Sequence, residues 1–225
     1  MSVREEFDEW AASGRDRGMA DRHWHTAKHV LARMPVESGE RVLDLGTGSG
    51  YALRALRERG VGRSYGLDGA PEMAQNARSY TDDPSIGYVV GDFEHLPFAV
   101  GALDHVFSME AFYYAADPHA ALAEVERVLR PGGTFYCAVN YYEENEYSHD
   151  WQDDIAVEMT RWSRGEYRAA FRDAGLYVAE QDNVPDRETE IPEASAFPHE
   201  GFETREAMVE RYRTLGTLLT VGVAP

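Results

Sequence analysis

The chain has 225 residues, enough for one α/β domain with a sizeable core, and its 40 acidic against 22 basic residues give a formal charge of −18. A field of that sign repels phosphate backbones and argues against nucleic acid as a substrate. Cys137 is the only cysteine, which excludes an intrachain disulfide, and no uninterrupted apolar run approaches the roughly 20 residues that a bilayer span needs.

Taken in chain order, the pattern alternates strands and helices. Two N-terminal helices are expected at 7–13 and 19–34, with Pro35 ending the second; Trp24, Ala27, Leu31 and Met34 form its apolar stripe. A strand at 41–45 leads into a helix at 50–59, closed by Gly60. A strand at 64–67, a helix at 70–80 and a strand at 86–90 follow. Next come a strand at 103–109, a helix at 118–129, a turn at Arg130–Gly133 and a strand at 133–139. A helix at 165–174 capped by Gly175 and a strand at 176–184 precede a proline-bearing loop at 185–200. Thr204 then reads as the N-cap of a helix at 204–215, with Glu206 in its first turn, and 217–223 as a last strand. Such alternation implies parallel strands joined by right-handed crossovers.

The segment Val42-Leu43-Asp44-Leu45-Gly46-Thr47-Gly48-Ser49-Gly50 carries the most chemistry. A hydrophobic strand ends at an acidic residue, and a turn with three alternating glycines opens a helix. Such a turn brings backbone against a ligand, and the helix start offers free N–H groups. The dinucleotide fingerprint Gly-x-Gly-x-x-Gly fails here, since its third position is Tyr51 or Leu53. A second stretch, Tyr65-Gly66-Leu67-Asp68, ends the next strand in a carboxylate suited to two ribose hydroxyls, although capping the helix at Ala70 would employ it too. A third, Gly91-Asp92-Phe93-Glu94-His95-Leu96-Pro97-Phe98, follows the 86–90 strand.

In this order the three stretches resemble the class I S-adenosylmethionine (SAM)-dependent methyltransferases, and within them the small-molecule branch of ubiquinone/menaquinone-biosynthesis type. The resemblance covers about residues 40–183. It implies an α/β, Rossmann-like, seven-stranded and mostly parallel sheet with helices on both faces. Its last strand, at 217–223, would run antiparallel beside the fifth. One methyltransferase domain is expected over 1–225: a helical lid at 1–39, a SAM-binding core at 40–183, and a substrate-side excursion, helix and final strand at 184–225.

The same resemblance assigns SAM, with S-adenosylhomocysteine (SAH) as product, to a set of residues. Gly46, Thr47, Gly48 and Gly50 would approach the methionine portion, and Asp44 would orient its amino group. Asp68 and Gly69 would face the ribose, and Met73, Asp92 and Phe93 the adenine, with Met109 beside the cofactor. Leu96, Pro97 and Phe98 are expected in the core.

Methyl transfer needs alignment more than a fixed set of catalytic groups, so no motif names a base. Glu110 after the fourth strand, His25 on the N-terminal helix and Tyr114 are the candidates for proton transfer or substrate contact. Asp21, His25 and His29 share a helical face but read as a solvated one, and no metal is expected.

Trp24, Tyr113, Tyr114, Tyr141, Tyr142, Tyr147 and Trp151 supply candidate pocket walls. The interleaved acids Glu143, Glu144, Glu146, Asp150, Asp153 and Asp154 would either hold a cationic acceptor or form part of a salt-adapted surface, the second being favoured. With Lys28 as the only lysine, such a surface fits a halophilic, cytoplasmic protein, although a GC-rich genome would separately account for arginine in place of lysine. The charged stretch Arg4–Asp8 contains no apolar signal core. The expected partner is a small-molecule methyl acceptor, with no nucleic acid and no membrane span. A protein methyltransferase and a non-catalytic SAM- or nucleoside-binding module are the alternatives, and the oligomeric state is left open.

Overall fold

Helices and strands alternate from the first residues described in the computed structural model, which covers residues 3–155 and 157–225. Helices α1 (Val3–Ala12) and α2 (Arg15–Arg33) come first. They are followed by β1 (Val42–Leu45), α3 (Tyr51–Glu58), β2 (Ser64–Asp68), α4 (Pro71–Ser79), β3 (Ile86–Val90) and β4 (Leu103–Met109). The chain continues through α5 (Pro118–Val128), β5 (Leu129–Val139), a short α6 (Trp151–Asp154), α7 (Arg164–Asp173), β6 (Tyr177–Val184), α8 (Arg205–Val209) and β7 (Thr217–Val223).

The strands form one seven-stranded sheet in the order β3-β2-β1-β4-β5-β7-β6. All neighbours pair in parallel except β7, which runs antiparallel to both β5 and β6. The Rossmann-like sheet expected from the sequence, with its last strand reversed beside the fifth, is therefore the sheet observed.

Side-chain alternation along the strands builds a core on each face. Leu43, Leu45, Val106, Phe135, Cys137 and Val139 share one buried cluster, packed with α5 and α7 residues such as Leu122, Val125 and Phe171. Val42, Phe107, Met109, Tyr136 and Ala138 share the other, with Leu53 and Leu56 of α3 and Val30 of α2. A central parallel strand covered on both faces reads as a continuous apolar run, and β1 is buried at each of its positions.

Local chemistry fixes the helix starts. Asp117 accepts bonds from the backbone N–H groups of His119 and Ala120, both at 3.0 Å, with Pro118 in the first turn of α5. Ser163 and Glu166 form a reciprocal capping box on α7.

Two expectations need correction. Arg130–Gly133 is not a turn ahead of the fifth strand: β5 starts at Leu129, and its register against β4 jumps between the Leu103–Leu129 and His105–Thr134 pairs. The extra residues bulge out of the ladder, leaving Arg130 free to bond Asp104 and Glu40. The helix expected at 204–215 is α-helical only through Val209. Glu210–Leu215 then forms a wider π-turn, with the Gly216 N–H bonded to the Arg211 carbonyl at 2.9 Å.

Phe135 and Phe171 stack at 5.3 Å between ring centroids, both fully buried. Phe171→Ala is expected to cost about 3–5 kcal/mol in urea denaturation; a loss under about 1 kcal/mol would contradict this packing.

Candidate functional site

The carboxyl ends of β1, β2 and β4 meet at the glycine turn. Backbone N–H groups of Gly46 and Thr47 both donate to the Leu67 carbonyl, at 2.8 and 3.1 Å, which ties the turn to the end of β2. The Gly48 N–H donates to Asp68 Oδ2 at 2.9 Å, and the Ala70 N–H to Asp68 Oδ1 at 3.0 Å. The capping role that the sequence left open for Asp68 is thus present. Thr47 Oγ1 donates to Asp44 Oδ2 at 2.9 Å.

Two of the glycines serve different ends. Gly46 has φ 73°, and a Cβ there would lie 2.2 Å from the Cβ of Ala111, so its missing side chain lets the strand ends pack. Gly48 has φ 49°, and a Cβ there would meet nothing within 4 Å. Packing does not demand glycine at 48; the bare backbone faces open space.

That space is a cavity of ≈790 Å³. Its wall includes Gly46, Thr47, Gly48, Asp68, Gly69, Met73, Asp92, Phe93, Met109, Glu110 and Tyr114. Asp44, Gly50 and His25 stand outside the lining: Asp44 lies behind Thr47, and His25 Nδ1 is 3.2 Å from Asp186 Oδ2. Asp92 is exposed at the rim, 3.8 Å from Arg4. Within the third motif, Leu96 is buried and Phe98 packs on Tyr65, but Pro97 is exposed, against expectation.

Of the aromatic set, Tyr113, Tyr114 and Trp151 reach the wall, joined by Phe7, Trp10 and Tyr212. Trp24 instead packs edge-on against Tyr51, Tyr141 and Tyr142 are buried in the core, and Tyr147 tilts against Phe202. Glu143, Glu144, Glu146, Asp150 and Asp153 are exposed and off the wall, and Glu143 pairs with Arg161. The Asp154 side chain lies outside the described residues.

Burial dominates the electrostatics. It pushes the Asp44 carboxyl up to about 7, opposed by the Thr47 hydroxyl, and Asp68 up to about 6, opposed by the Ala70 and Gly48 N–H groups. Glu110 rises to about 8; Arg211, the Tyr113 hydroxyl and Asn140 pull the other way. Glu110 also holds a left-handed φ of 55°, costly outside glycine, and its Oε1 has no hydrogen-bond partner among the described residues. A carboxyl so placed exchanges its proton near neutral pH. Burial also lowers His23, on the wall, to about 4 and keeps its ring neutral.

Arg211, Asn140 and Tyr212 are wall residues that the sequence reading did not single out, whereas His23, on the expected N-terminal helix beside His25 and His29, was a candidate contact from the sequence. Arg211 was hidden by the helical reading of 204–215, where an arginine looks like any other exposed charge.

Comparison with known proteins agrees with this geometry. Residues 43–137 match a family described as a methyltransferase domain. Over 127 residues the chain is 39% identical to the malonyl-[acyl-carrier protein] O-methyltransferase of Serratia marcescens, covering 56% of this chain and 45% of that one. It is 25% identical over 183 residues to the sterol 24-C-methyltransferase of Pneumocystis carinii, covering 76% and 48%. The chain therefore spans less than half the length of these curated relatives. A candidate methyltransferase of Haloferax volcanii, solved in complex with the Trm112 methyltransferase activator, is 70% identical with a TM-score of 0.98, and the match covers 100% of both chains. The chain belongs to the class I SAM-dependent methyltransferases. The site of this methyltransferase fits the family's co-substrate on structural grounds: bare backbone at Gly48 borders the cavity, and the buried Asp68 carboxylate borders the same space.

Gly46→Ala is expected to destabilise the protein by about 2–4 kcal/mol, combining overpacking with left-handed strain. Gly48→Ala should cost only about 1–2 kcal/mol yet weaken SAH binding at least tenfold. Thermal melts and SAH titration of both variants check this, and equal melting losses would contradict the distinction.

The raised pKa of Glu110 sets a pH dependence of stability. The folded carboxyl holds its proton more tightly than the unfolded one, so its contribution is full below about pH 4.5 and is lost as pH rises through about 8. Glu110→Gln should flatten the fall in melting temperature between pH 5 and 9 and stabilise the apo protein at pH 9 by a few kcal/mol, in order of magnitude. An unchanged slope would show that Glu110 is not the titrating group.

Proposed function

We propose that this chain transfers the SAM methyl group to a small-molecule acceptor seated in the same cavity. One observation carries the reading: a single cavity joins the open backbone at Gly48 and the Asp68 carboxylate to a second region walled by Glu110, Tyr113, Tyr114 and Trp151. SAM supplies a carbon already activated by its sulfonium, so the protein's task is alignment, worth about 7–11 kcal/mol in favourable cases.

In this reading Gly46, Thr47 and Gly48 hold the methionine portion, Gly50 serves the turn by packing against Tyr88 behind the wall, and Asp44 orients the amino group through Thr47. Asp68 and Gly69 take the ribose; Met73, Asp92 and Phe93 take the adenine; Met109 borders the reacting end. Glu110 receives the proton that a protonated nucleophile must lose, which its position after β4 and its pKa of about 8 support. His25, held by Asp186, is the weaker candidate for that role. Tyr114 lines the acceptor's side, where burial raises its hydroxyl and keeps it protonated.

Calorimetric titration with SAM, SAH and NAD, in low and molar KCl, tests the reading. Both adenosyl ligands should bind and NAD should not; failure of both adenosyl ligands at either salt concentration would end it. Asp68→Ala should weaken SAM by about 1–3 kcal/mol, and unchanged binding would remove the ribose assignment.

A second reading concerns partners. The likeness to the Haloferax volcanii chain solved with an activator protein supports this chain also working as the catalytic member of such a pair. Co-expression with a Trm112-type activator should yield a co-eluting complex, and separate elution of the two would count against it. Among the described residues no helix is long and apolar enough to cross a membrane.

A further inference from the structure

Arg211 is an unusual residue for the place it occupies. It is 6% exposed, sits on the cavity wall, and among the described residues makes no ion pair. Its one hydrogen bond runs from Nη1 to the Gly216 carbonyl at 3.3 Å, which leaves most of the five guanidinium N–H donors unengaged. The planar group lies against two aromatic rings, 5.3 Å from the Tyr212 centroid and 5.9 Å from that of Trp151. Its charge is felt at Glu110, yet the two groups do not touch. A buried, aromatic-flanked guanidinium without a counter-ion is costly unless an anion completes it.

The backbone is shaped to hold it there. The π-turn Glu210–Leu215 closes with the Gly216 N–H on the Arg211 carbonyl, while the Arg211 side chain bonds the Gly216 carbonyl in return. The neighbouring cation Arg213 is already spent on the Asp186 and Thr189 carbonyls.

We propose that Arg211 is the anion-binding group of an acceptor subsite, and that the methyl acceptor is a flat or aromatic carboxylic acid. Its carboxylate is held by Arg211, its ring lies among Trp151, Tyr212, Tyr113 and Tyr114, and its nucleophile sits beside Glu110. The proposal rests on the reading of this cavity as a methyltransferase site and names its substrate class. Arg22 also borders this wall, and its charge is felt at Tyr212, but it is exposed to solvent, so the one desolvated guanidinium is Arg211, which matches one carboxylate better than a phosphate. A phosphate would bring up to two negative charges close to Glu110 and Asp186. An amine, which the aromatic and acidic sequence pattern around 141–154 would suit, is repelled by Arg211 instead.

The test titrates purified protein, with and without saturating SAH, with acetate, benzoate, 4-hydroxybenzoate, methyl 4-hydroxybenzoate, phenyl phosphate and tyramine. Wild-type protein should bind 4-hydroxybenzoate at least tenfold more tightly than its neutral methyl ester, more tightly than acetate or phenyl phosphate, and without measurable affinity for tyramine. Arg211→Met should remove that tenfold preference while leaving SAH affinity within about twofold, and Arg211→Lys, which keeps the charge if the π-turn is sensitive, should retain part of it. No carboxylate preference, or a preference for tyramine or phenyl phosphate, overturns the proposal. So does a loss of SAH affinity in Arg211→Met, because the guanidinium would then serve the co-substrate. Failure of SAH to bind wild-type protein is a different result, which sinks the methyltransferase reading, and the titrations without SAH still report on Arg211.

Discussion

Three carboxyl groups removed from water at the ends of adjacent strands set the terms for the rest of this structure. Asp44, Asp68 and Glu110 stand on or just past β1, β2 and β4, neighbours in the sheet, and each is at least nine-tenths buried. No cation forms an ion pair with any of them among the described residues, so dipoles must do what counter-ions would otherwise do. Thr47 donates to Asp44, the Gly48 and Ala70 N–H groups to Asp68, and Tyr113 to Glu110. The glycine turn is therefore both a ligand surface and the solvation shell of its own acidic neighbours.

Desolvation of these carboxyl groups opposes the free fold, only partly offset by the dipoles that face them, and a ligand in the cavity would add further partners. The same holds for the left-handed backbone at Glu110 and for the unpaired Arg211. Strain, desolvation and incomplete hydrogen bonding all gather at one end of the sheet. The opposite end solves a similar problem conventionally: His105, buried in β4, bonds Thr134 and Glu40, and Glu40 is in turn paired with Arg130.

Where packing and hydrogen bonding follow short-range rules, the sequence was legible. The bounds of β3, β4 and β7 match the hydrophobic runs that announced them, and Thr204 caps its helix as its side chain allows. Departures arise where distant residues decide. The bulge at Arg130–Gly133 depends on Asp104 and Glu40, far away in sequence, and the π-turn depends on Arg211 turning inward. Aromatic composition could not separate Tyr113 and Tyr114, at the cavity, from Tyr141 and Tyr142 in the core, because Tyr113 is as buried as the core pair and Tyr114 half-buried. The alternating glycines were visible, but that Gly46 answers to Ala111 and Gly48 to open space needs three dimensions.

Helix α2 is bound to the far side of the sheet through its side chains: His25 meets Asp186, Lys28 pairs with Glu188, and Arg33 reaches Glu180 and Asp182. Lys28 is also the only lysine in the chain. Any process that reads side-chain amines, from laboratory acylation to enzymatic lysine tagging, thus has one address here, and that address is inside the clasp. Its reactivity toward such reagents becomes a built-in reporter of the Lys28–Glu188 pair, which leaves the side chain 30% exposed.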